Sequence, residues 1–543
     1  MTTRRQFLKQ TGLVALAGAL GCEGSSETAE PGPDAEGGDA KVGEGDTAQS
    51  TEDAPVPEDA PDVGPELPTY EHEGPLGPET LFQHGVASGD PLPDRVILWT
   101  RCTSGGSAAV PVFWELATDP AFASRVAADW TEATEAADFT VKVDATGLSP
   151  GRYYYRFQAL GRTSTVGQTR LPVAPDTAPG SVRFAVASCA DYSAGRYHAY
   201  RDIAAQDLDA VVFLGDYIYE YGNGPNEARP VAPDHEIVSL ADYRTRYGHY
   251  RTDPDLQAAH QAHPWIVVWD DHEIANNSWR RGDSHGDTGD VYAARLAAAT
   301  QAWREWLPVR VATDEPIYRR FVFGDLVHLA MLDTRIVGRD EPAEPNAPEG
   351  FDAQGRQLLG AAQEAWLLGE MTQAQSAGRW LVLGQQIMVA PLTDGAAPIN
   401  FDQWDGYPAA RERLFSALAE AKVADLVVLT GDIHSSWASD IPRDASTYDP
   451  ESGDGAVGVE FVAPGITSGF PLDVPELVDF AKLVNPHVKY ADVARRGYVL
   501  LDIDPDRAEA TWRYAVDVLG EDPTVEVGAE AVCQRGARRL SVA

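Results

Sequence analysis

Six short runs between residues 181 and 543 are apolar almost throughout: 182–188, 210–214, 265–269, 326–332, 380–383 and 426–430. Continuous runs of this length, rich in Val, Ile and Leu, are the pattern of strands buried on both faces. Segments of helical period lie between them. In 409–422, for example, Leu414, Ala417, Leu418 and Ala421 share one face. Strands of that kind covered by helices predict an α/β core, a layered sheet with helices packed on it. Residues 76–176 carry a different pattern. Their apolar runs 95–102, 110–117, 139–143 and 153–159 are separated by Gly, Ser, Pro and Thr clusters. This spacing predicts an all-β sandwich of the immunoglobulin or fibronectin kind, placed ahead of the core. No titratable cluster in it suggests chemistry, and no repeat of fixed period runs through the chain.

The first 75 residues do not read as fold. Arg4 and Arg5 precede a short apolar stretch that ends in Ala19-Leu20-Gly21-Cys22. Residues 1–22 resemble a bacterial twin-arginine export signal, with Cys22 as a lipidated residue. Ala19 stands where lipoprotein boxes usually carry Leu, which leaves cleavage to a soluble product as the alternative. Residues 23–70 hold 14 Asp or Glu and one Lys. With no apolar period, 23–75 is expected to be an acidic, extended tether.

Composition narrows the function classes. The chain has 543 residues, 43% of them hydrophobic, enough for a substantial core. A formal net charge of −40 opposes specific nucleic-acid binding and attraction to anionic membranes. Any membrane association is then expected only through the lipid anchor, and the protein is expected to be a monomer. Four cysteines are too few for a disulfide framework. In an exported protein Cys102 and Cys533 could pair, or stand as two thiols.

The chemistry collects where the core strands end. The six runs lead into Cys189, into Gly215-Asp216, into Asp270-Asp271-His272-Glu273, into Asp333-Thr334-Arg335, into Gly384-Gln385-Gln386 and into Gly431-Asp432-Ile433-His434. Ligands of open α/β sheets bind beyond the carboxyl ends of the strands. Taken singly, a strand-end Asp reads as a helix N-cap, Cys189 as a small buried side chain and Tyr219 as packing. Taken together, Asp216, Asp271 and Asp432 would crowd, and crowded carboxylates stay ionised only beside cations. Thiolate, phenolate, carboxylate and imidazole from Cys189, Tyr219, Asp216 and His434 suit a trivalent metal such as Fe³⁺. The remaining oxygen donors, including Asn276 and Asn277, suit Ca²⁺. Asp402, Trp404, Asp405 and Tyr407, and separately Trp279, Arg280 and Arg281, could line the mouth of such a site or form solvated loops.

Gly-Asp-x-x-Tyr at 215–219, Asp-His-Glu at 271–273 in place of the commoner Asn-His-Glu, and Gly-Asp-x-His at 431–434 follow the order of the calcineurin-like metallophosphoesterases. More narrowly, residues 76–515 are similar to the PhoD family of bacterial alkaline phosphatases and phosphodiesterases. The resemblance implies a metallophosphoesterase-type core with one Fe³⁺ on Cys189, Asp216, Tyr219 and His434. Asp216 would bridge to Ca²⁺, with Asp271, Asn276 and Asp432 as further ligands. Gly384-Gln385-Gln386 stands where many members of the wider superfamily carry a metal-binding His. The ions would clamp a phosphate and activate water, while His272 protonates the departing alcohol or orients a ligand. The expected function is therefore hydrolysis of phosphomonoesters or phosphodiesters by an exported, periplasmic or surface-anchored enzyme that scavenges phosphate. Two alternatives remain: a phospholipase D-like phosphodiesterase on the same metals, and a non-enzymatic surface lipoprotein.

Overall fold

All six apolar runs are strands in the computed structural model, which describes residues 66–224, 228–343, 350–470 and 475–543. Arg4, Arg5, Cys22 and residues 23–65 of the expected tether lie outside the described residues. The strands fall into two groups of three. Val182–Ala187, Ala210–Phe213 and Pro264–Val267 run parallel within a ten-stranded sheet. Val327–Met331, Trp380–Gly384 and Leu426–Thr430 run parallel within a seven-stranded sheet.

The two sheets bury one face against each other. Alternate residues of the second group show this directly, because side chains on a strand point to opposite faces. Leu329, Val382, Val427 and Leu429 join the core they share with Val186, Val212 and Ile266 of the first sheet. Ala330, Leu381, Leu383 and Val428 point the other way, onto the helices Ala361–Ser376 and Pro408–Glu420, where Leu367, Met371, Leu414 and Leu418 meet them. The first sheet packs with Ile203, Tyr243, Leu256 and Trp303 from the helices His198–Ala205, Leu240–Tyr250, Pro254–Ala262 and Gly289–Trp306. An α/β core with helices over its sheets is thus present, as a two-sheet stack.

The N-terminal β region does not form a separate body. Val110–Ala117, Arg125–Ala133, Gly151–Ala159, Arg162–Thr163 and Gly167–Leu171 form a five-stranded antiparallel sheet. The layer facing it is made of Val86–Leu92, Arg95–Arg101 and Thr140–Thr146. Val96, Leu98 and Val141 from that layer share a core with Val112, Leu116, Tyr155 and Phe157. Yet the layer belongs to the ten-stranded sheet, through parallel pairing of Ser88 with Pro264 and Gly89 with Trp265. Gly89 permits that junction: a Cβ there would lie 2.3 Å from the Pro308 carbonyl oxygen and 2.6 Å from that of Trp265. Apolar alternation identifies such strands but not the sheet they join.

One further expectation changes, and one open alternative is decided. Residues 66–75 lie against the five-stranded sheet instead of continuing the tether. The Tyr70 ring sits 6.0 Å from Phe113 and 5.8 Å from Trp130, and its hydroxyl accepts from Gly161 N at 2.7 Å. Cys102 and Cys533 are free, buried thiols in different cores, so no bridge ties the C-terminus to the β region. The C-terminus is secured by pairing: Gly497–Ile503 lies antiparallel to Val182–Ala187, and Arg507–Ala515, Val525–Gln534 and Leu540–Val542 follow it outward. Among the described residues no helix is long and apolar enough to cross a membrane.

Candidate metal centre

The chain bends sharply where the predicted ligands stand. Cys189, Asp216, Asp432 and His434 all adopt positive φ, between 53° and 63°. Non-glycine residues rarely take this left-handed region, and strain of this kind gathers at functional sites. All four stand in the loops that follow core strands. Gly215 makes room for this crowding, since a Cβ on it would lie 2.4 Å from the Asp270 backbone nitrogen.

The result is a continuous set of donor atoms. Ligand atoms of Cys189, Asp216 and His434 lie within 4.8 Å of one another, as do those of Asp216, Asp271 and His272, and those of Asp270, Asp271 and Asp432. Asp216 and Asp271 each belong to two of these groups, so the three fuse into one centre. The Tyr219 hydroxyl donates to Asp216 Oδ2 at 3.0 Å and stands 3.0 Å from His434 Nε2. Ser468 Oγ donates to the same phenol at 2.8 Å. Asn276 is tied to its own loop, its Nδ2 donating to Ser284 Oγ at 2.8 Å. Asn277 enters through its backbone, whose N–H donates to Asp271 Oδ2 at 2.6 Å.

Several groups that hold this centre together were not assigned a role from sequence. Glu273 accepts from the backbone N–H groups of Asp216, Tyr217 and Asp270 at 2.9, 2.6 and 2.8 Å, clamping two loops together. Glu220 Oε2 lies 2.6 Å from His272 Nδ1, while its Oε1 accepts from Asn276 N at 2.7 Å. Arg335 is fully buried and its guanidinium touches four carboxylates. It binds Asp270 and Asp432, donates to Asp402 Oδ2 at 2.7 Å and lies 3.3 Å from Asp271 Oδ1. Gln403 Nε2 donates to Asp432 Oδ2 at 2.5 Å.

Gln386 stands in the run where an imidazole was noted as missing, and it acts as a splice. Its Nε2 donates to the carbonyls of Trp269 and Leu332 at 2.7 and 3.1 Å, and its Oε1 accepts from Thr334 N at 3.0 Å and Oγ1 at 2.6 Å. One amide therefore pins the end of the first sheet to the end of the second. Asp402, Trp404, Asp405 and Tyr407 are buried, so the solvated-loop expectation fails for them. Asp402 bears on Arg335 and Arg339, and Asp405 on Arg411. Trp279, Arg280 and Arg281 do form an outer loop, where Arg280 pairs with Asp340 at 2.5 Å. The signals for the missed residues were local: Glu220 directly follows Tyr219, and Asp270 and Glu273 bracket Asp271-His272.

Burial sets the electrostatics, and neighbouring charges sort the outcomes. Burial and the adjacent Asp216 push both the Cys189 thiol and the Tyr219 phenol well above their ordinary values. They become anionic ligands only when a strong Lewis acid shares the site. Burial raises Asp271, but Arg335 and then His272 outweigh it and bring the carboxyl down to about 2. Burial lifts Asp432 to about 6 despite Arg335, and lifts Glu273 to about 8 with Asp216 adding to the effect. Burial opposes a charged His272, but Glu220, Asp271 and Asp216 together hold the imidazole well above its usual value.

The donor set fits metal ions. Asp270 Oδ2 is a buried acceptor without a hydrogen bond, and Asp271 Oδ1 meets only the Arg335 guanidinium at 3.3 Å, an arrangement a further cation completes. Sulfur, imidazole and carboxylate meet in the Cys189–Asp216–His434 group beside the Tyr219 phenol, and carboxylates alone form the Asp270–Asp271–Asp432 group.

Comparison with known proteins agrees with this geometry. Residues 184–512 match the PhoD-like phosphatase family, and residues 73–173 match the PhoD-like phosphatase N-terminal domain. Alkaline phosphatase D of Bacillus subtilis (strain 168) is 39% identical over 490 residues, which cover 85% of this chain and 82% of that protein. The solved structure of PhoD superposes with a TM-score of 0.80 at 36% identity, covering 86% of this chain and 93% of its own. By sequence and by fold the chain belongs to the PhoD-like phosphatases, hydrolases that act on phosphoric esters.

Proposed function

We propose that this protein hydrolyses phosphomonoesters and phosphodiesters at one Fe³⁺ held by Cys189, Asp216, Tyr219 and His434 and at Ca²⁺ held by Asp216, Asp271, Asn276 and Asp432. The observation that carries this reading is the fusion of three ligand groups through Asp216 and Asp271. When bound, the ions supply Lewis-acid clamping of the phosphoryl oxygens and activation of a water.

The chain's own residues do the rest. His272 lies at the carboxylate edge with Nδ1 held by Glu220, which leaves Nε2 free to give its proton to the departing alcohol. As the water oxygen bonds to phosphorus and its proton passes to solvent, the phosphorus–alkoxide bond breaks opposite it. The alkoxide leaves as the alcohol once it takes the His272 proton. Arg335 and Gln403 keep Asp271 and Asp432 in place without supplying ligand atoms of their own. Glu273 and Gln386 hold the loops at fixed separation, so the donors are positioned before substrate arrives.

The same reading includes export by the twin-arginine route, anchoring through Cys22, and phosphate scavenging by a monomer at the cell surface or in the periplasm. The sequence features behind it are Arg4, Arg5 and Cys22. A phosphomonoester and a bis-ester assayed side by side between pH 8 and 10 test the activity and separate monoesterase from diesterase. Absence of turnover on both, in protein with its metals in place, contradicts the reading in favour of a binding protein.

A further inference from the structure

Three side chains among the described residues meet the Tyr219 hydroxyl, and one of them still has a proton to give when the phenol has lost its own. Asp216 Oδ2, at 3.0 Å, is a carboxylate oxygen and accepts. His434 Nε2, also at 3.0 Å, carries no proton when that nitrogen is a metal ligand. Ser468 Oγ, at 2.8 Å, is a hydroxyl with its own proton. The Asp191 backbone N–H donates to Ser468 Oγ at 3.4 Å, which occupies the oxygen as an acceptor and leaves its proton for the phenol. Ser468 is 4% exposed, so bulk water does not compete for this bond.

The backbone sets the position of that hydroxyl. Ser468 lies 249 residues from Tyr219, on a segment that follows the strand Ala456–Val462 and runs along the loop bearing Cys189. Gly465 pairs in parallel with Ser188, and Ile466 N donates to the Ser188 carbonyl at 2.9 Å. The backbone N–H groups of Thr467 and Ser468 donate to the Cys189 carbonyl at 3.4 and 3.3 Å, and Thr467 Oγ1 donates to the Asp191 carbonyl at 2.6 Å. Gly465 permits the tight return, since a Cβ there would lie 2.4 Å from the Ser468 carbonyl oxygen.

The geometry points to Ser468 as a positioning residue of the metal centre, whose hydroxyl donates to the Tyr219 phenolate, holds its oxygen beside Asp216 and His434, and draws electron density from it. This rests on the Fe³⁺ reading of the centre and adds to it a residue that supplies no ligand atom. A phenolate that accepts a hydrogen bond gives less charge to the ion, which keeps the ion a stronger Lewis acid. The same bond stabilises the phenolate electrons, so the phenolate-to-iron absorption lies at shorter wavelength than it would for a bare phenolate.

Visible spectra of the full-length protein, purified without chelator, test the assignment, with elemental analysis to count iron per chain. Ser468→Ala is expected to keep the band and move it to longer wavelength. Ser468→Thr retains a hydroxyl and should return the band toward its place in the unaltered protein. Ser468→Cys, with a weaker donor, should move it in the same direction as Ser468→Ala by less, and it serves if the alanine variant does not fold. Iron lost from the alanine and cysteine variants but kept by the threonine variant also supports the assignment. A band unmoved in the alanine and cysteine variants at equal iron content overturns it and leaves the Fe³⁺ reading intact. So does a threonine variant shifted as far as the alanine one, because lost packing would then move the band. A colourless, iron-free unaltered protein overturns the Fe³⁺ reading and the role of Ser468 together.

Discussion

Glu220 holds His272 through a 2.6 Å contact between Oε2 and Nδ1, with both side chains buried. Its second oxygen fixes the backbone at Asn276, so one carboxylate sets both the orientation of the imidazole and the path of the loop bearing Asp271. Glu220→Gln keeps the size and the Asn276 contact but removes the charge that stabilises the imidazolium. The expected result is a fall in kcat of roughly 10–100-fold with KM and metal content little changed, read by steady-state kinetics and elemental analysis. Equal kcat would remove His272 from its role as acid.

Arg335 neutralises a buried set of acids. Arg335→Gln leaves Asp270, Asp271 and Asp432 facing one another without their organic cation, while Asp402 keeps Arg339. Removing one partner of a buried ion pair costs about 3–5 kcal/mol. A loss of this size is expected in chelator-treated protein by denaturant titration, with part of it recovered in millimolar Ca²⁺. Indifference to Ca²⁺ would mean that these carboxylates do not share a cation site.

The continuity of the ten-stranded sheet makes the β region part of the catalytic core's stability. Residues 181–543 expressed alone lack Val86–Leu92, Arg95–Arg101 and Thr140–Thr146, which exposes the edge of Pro264–Val267. Such an open apolar edge aggregates. Expression of 181–543 is expected to give insoluble or non-cooperatively unfolding protein, measured by thermal melts. A soluble fragment with an unchanged melting temperature would show that the junction at Gly89 contributes nothing.

Acid should weaken the fold through buried neutral histidines. Burial brings His263 down to about 4, against a smaller opposite effect of its 3.0 Å bond to the Ile203 carbonyl. Below an unfolded value near 6.5 the unfolded chain binds a proton that the native chain refuses. Stability is therefore full above that pH and falls as pH drops toward 4. His263→Gln should flatten the dependence in this window by about one proton, or about 1.4 kcal/mol per pH unit. An unchanged slope would assign the acid sensitivity to other groups.

Much of this was legible in the sequence, for a physical reason that also marks where legibility ends. Strands buried on both faces are continuous apolar runs, so all six core strands could be read, and the polar residues that end four of them stand in the candidate ligand groups. Cys189, Asp216, Tyr219, Asp271, Asp432 and His434 converge as their strand ends predicted. Pairing between distant segments leaves no local pattern, so neither the division into two sheets nor the attachment of Val86–Leu92 to Pro264–Val267 could be seen. Gln386 and Arg335 were missed similarly. An amide that splices two strand ends and a guanidinium that balances four acids are defined by partners 52 to 117 residues away.

The central claim concerns the donor set around Asp216, and metal content with visible absorption tests it most directly. Protein purified without chelator should contain one iron per chain and show a visible band from the Tyr219 phenolate. The band should vanish in Tyr219→Phe. A colourless, iron-free preparation with full phosphoesterase activity would contradict the account.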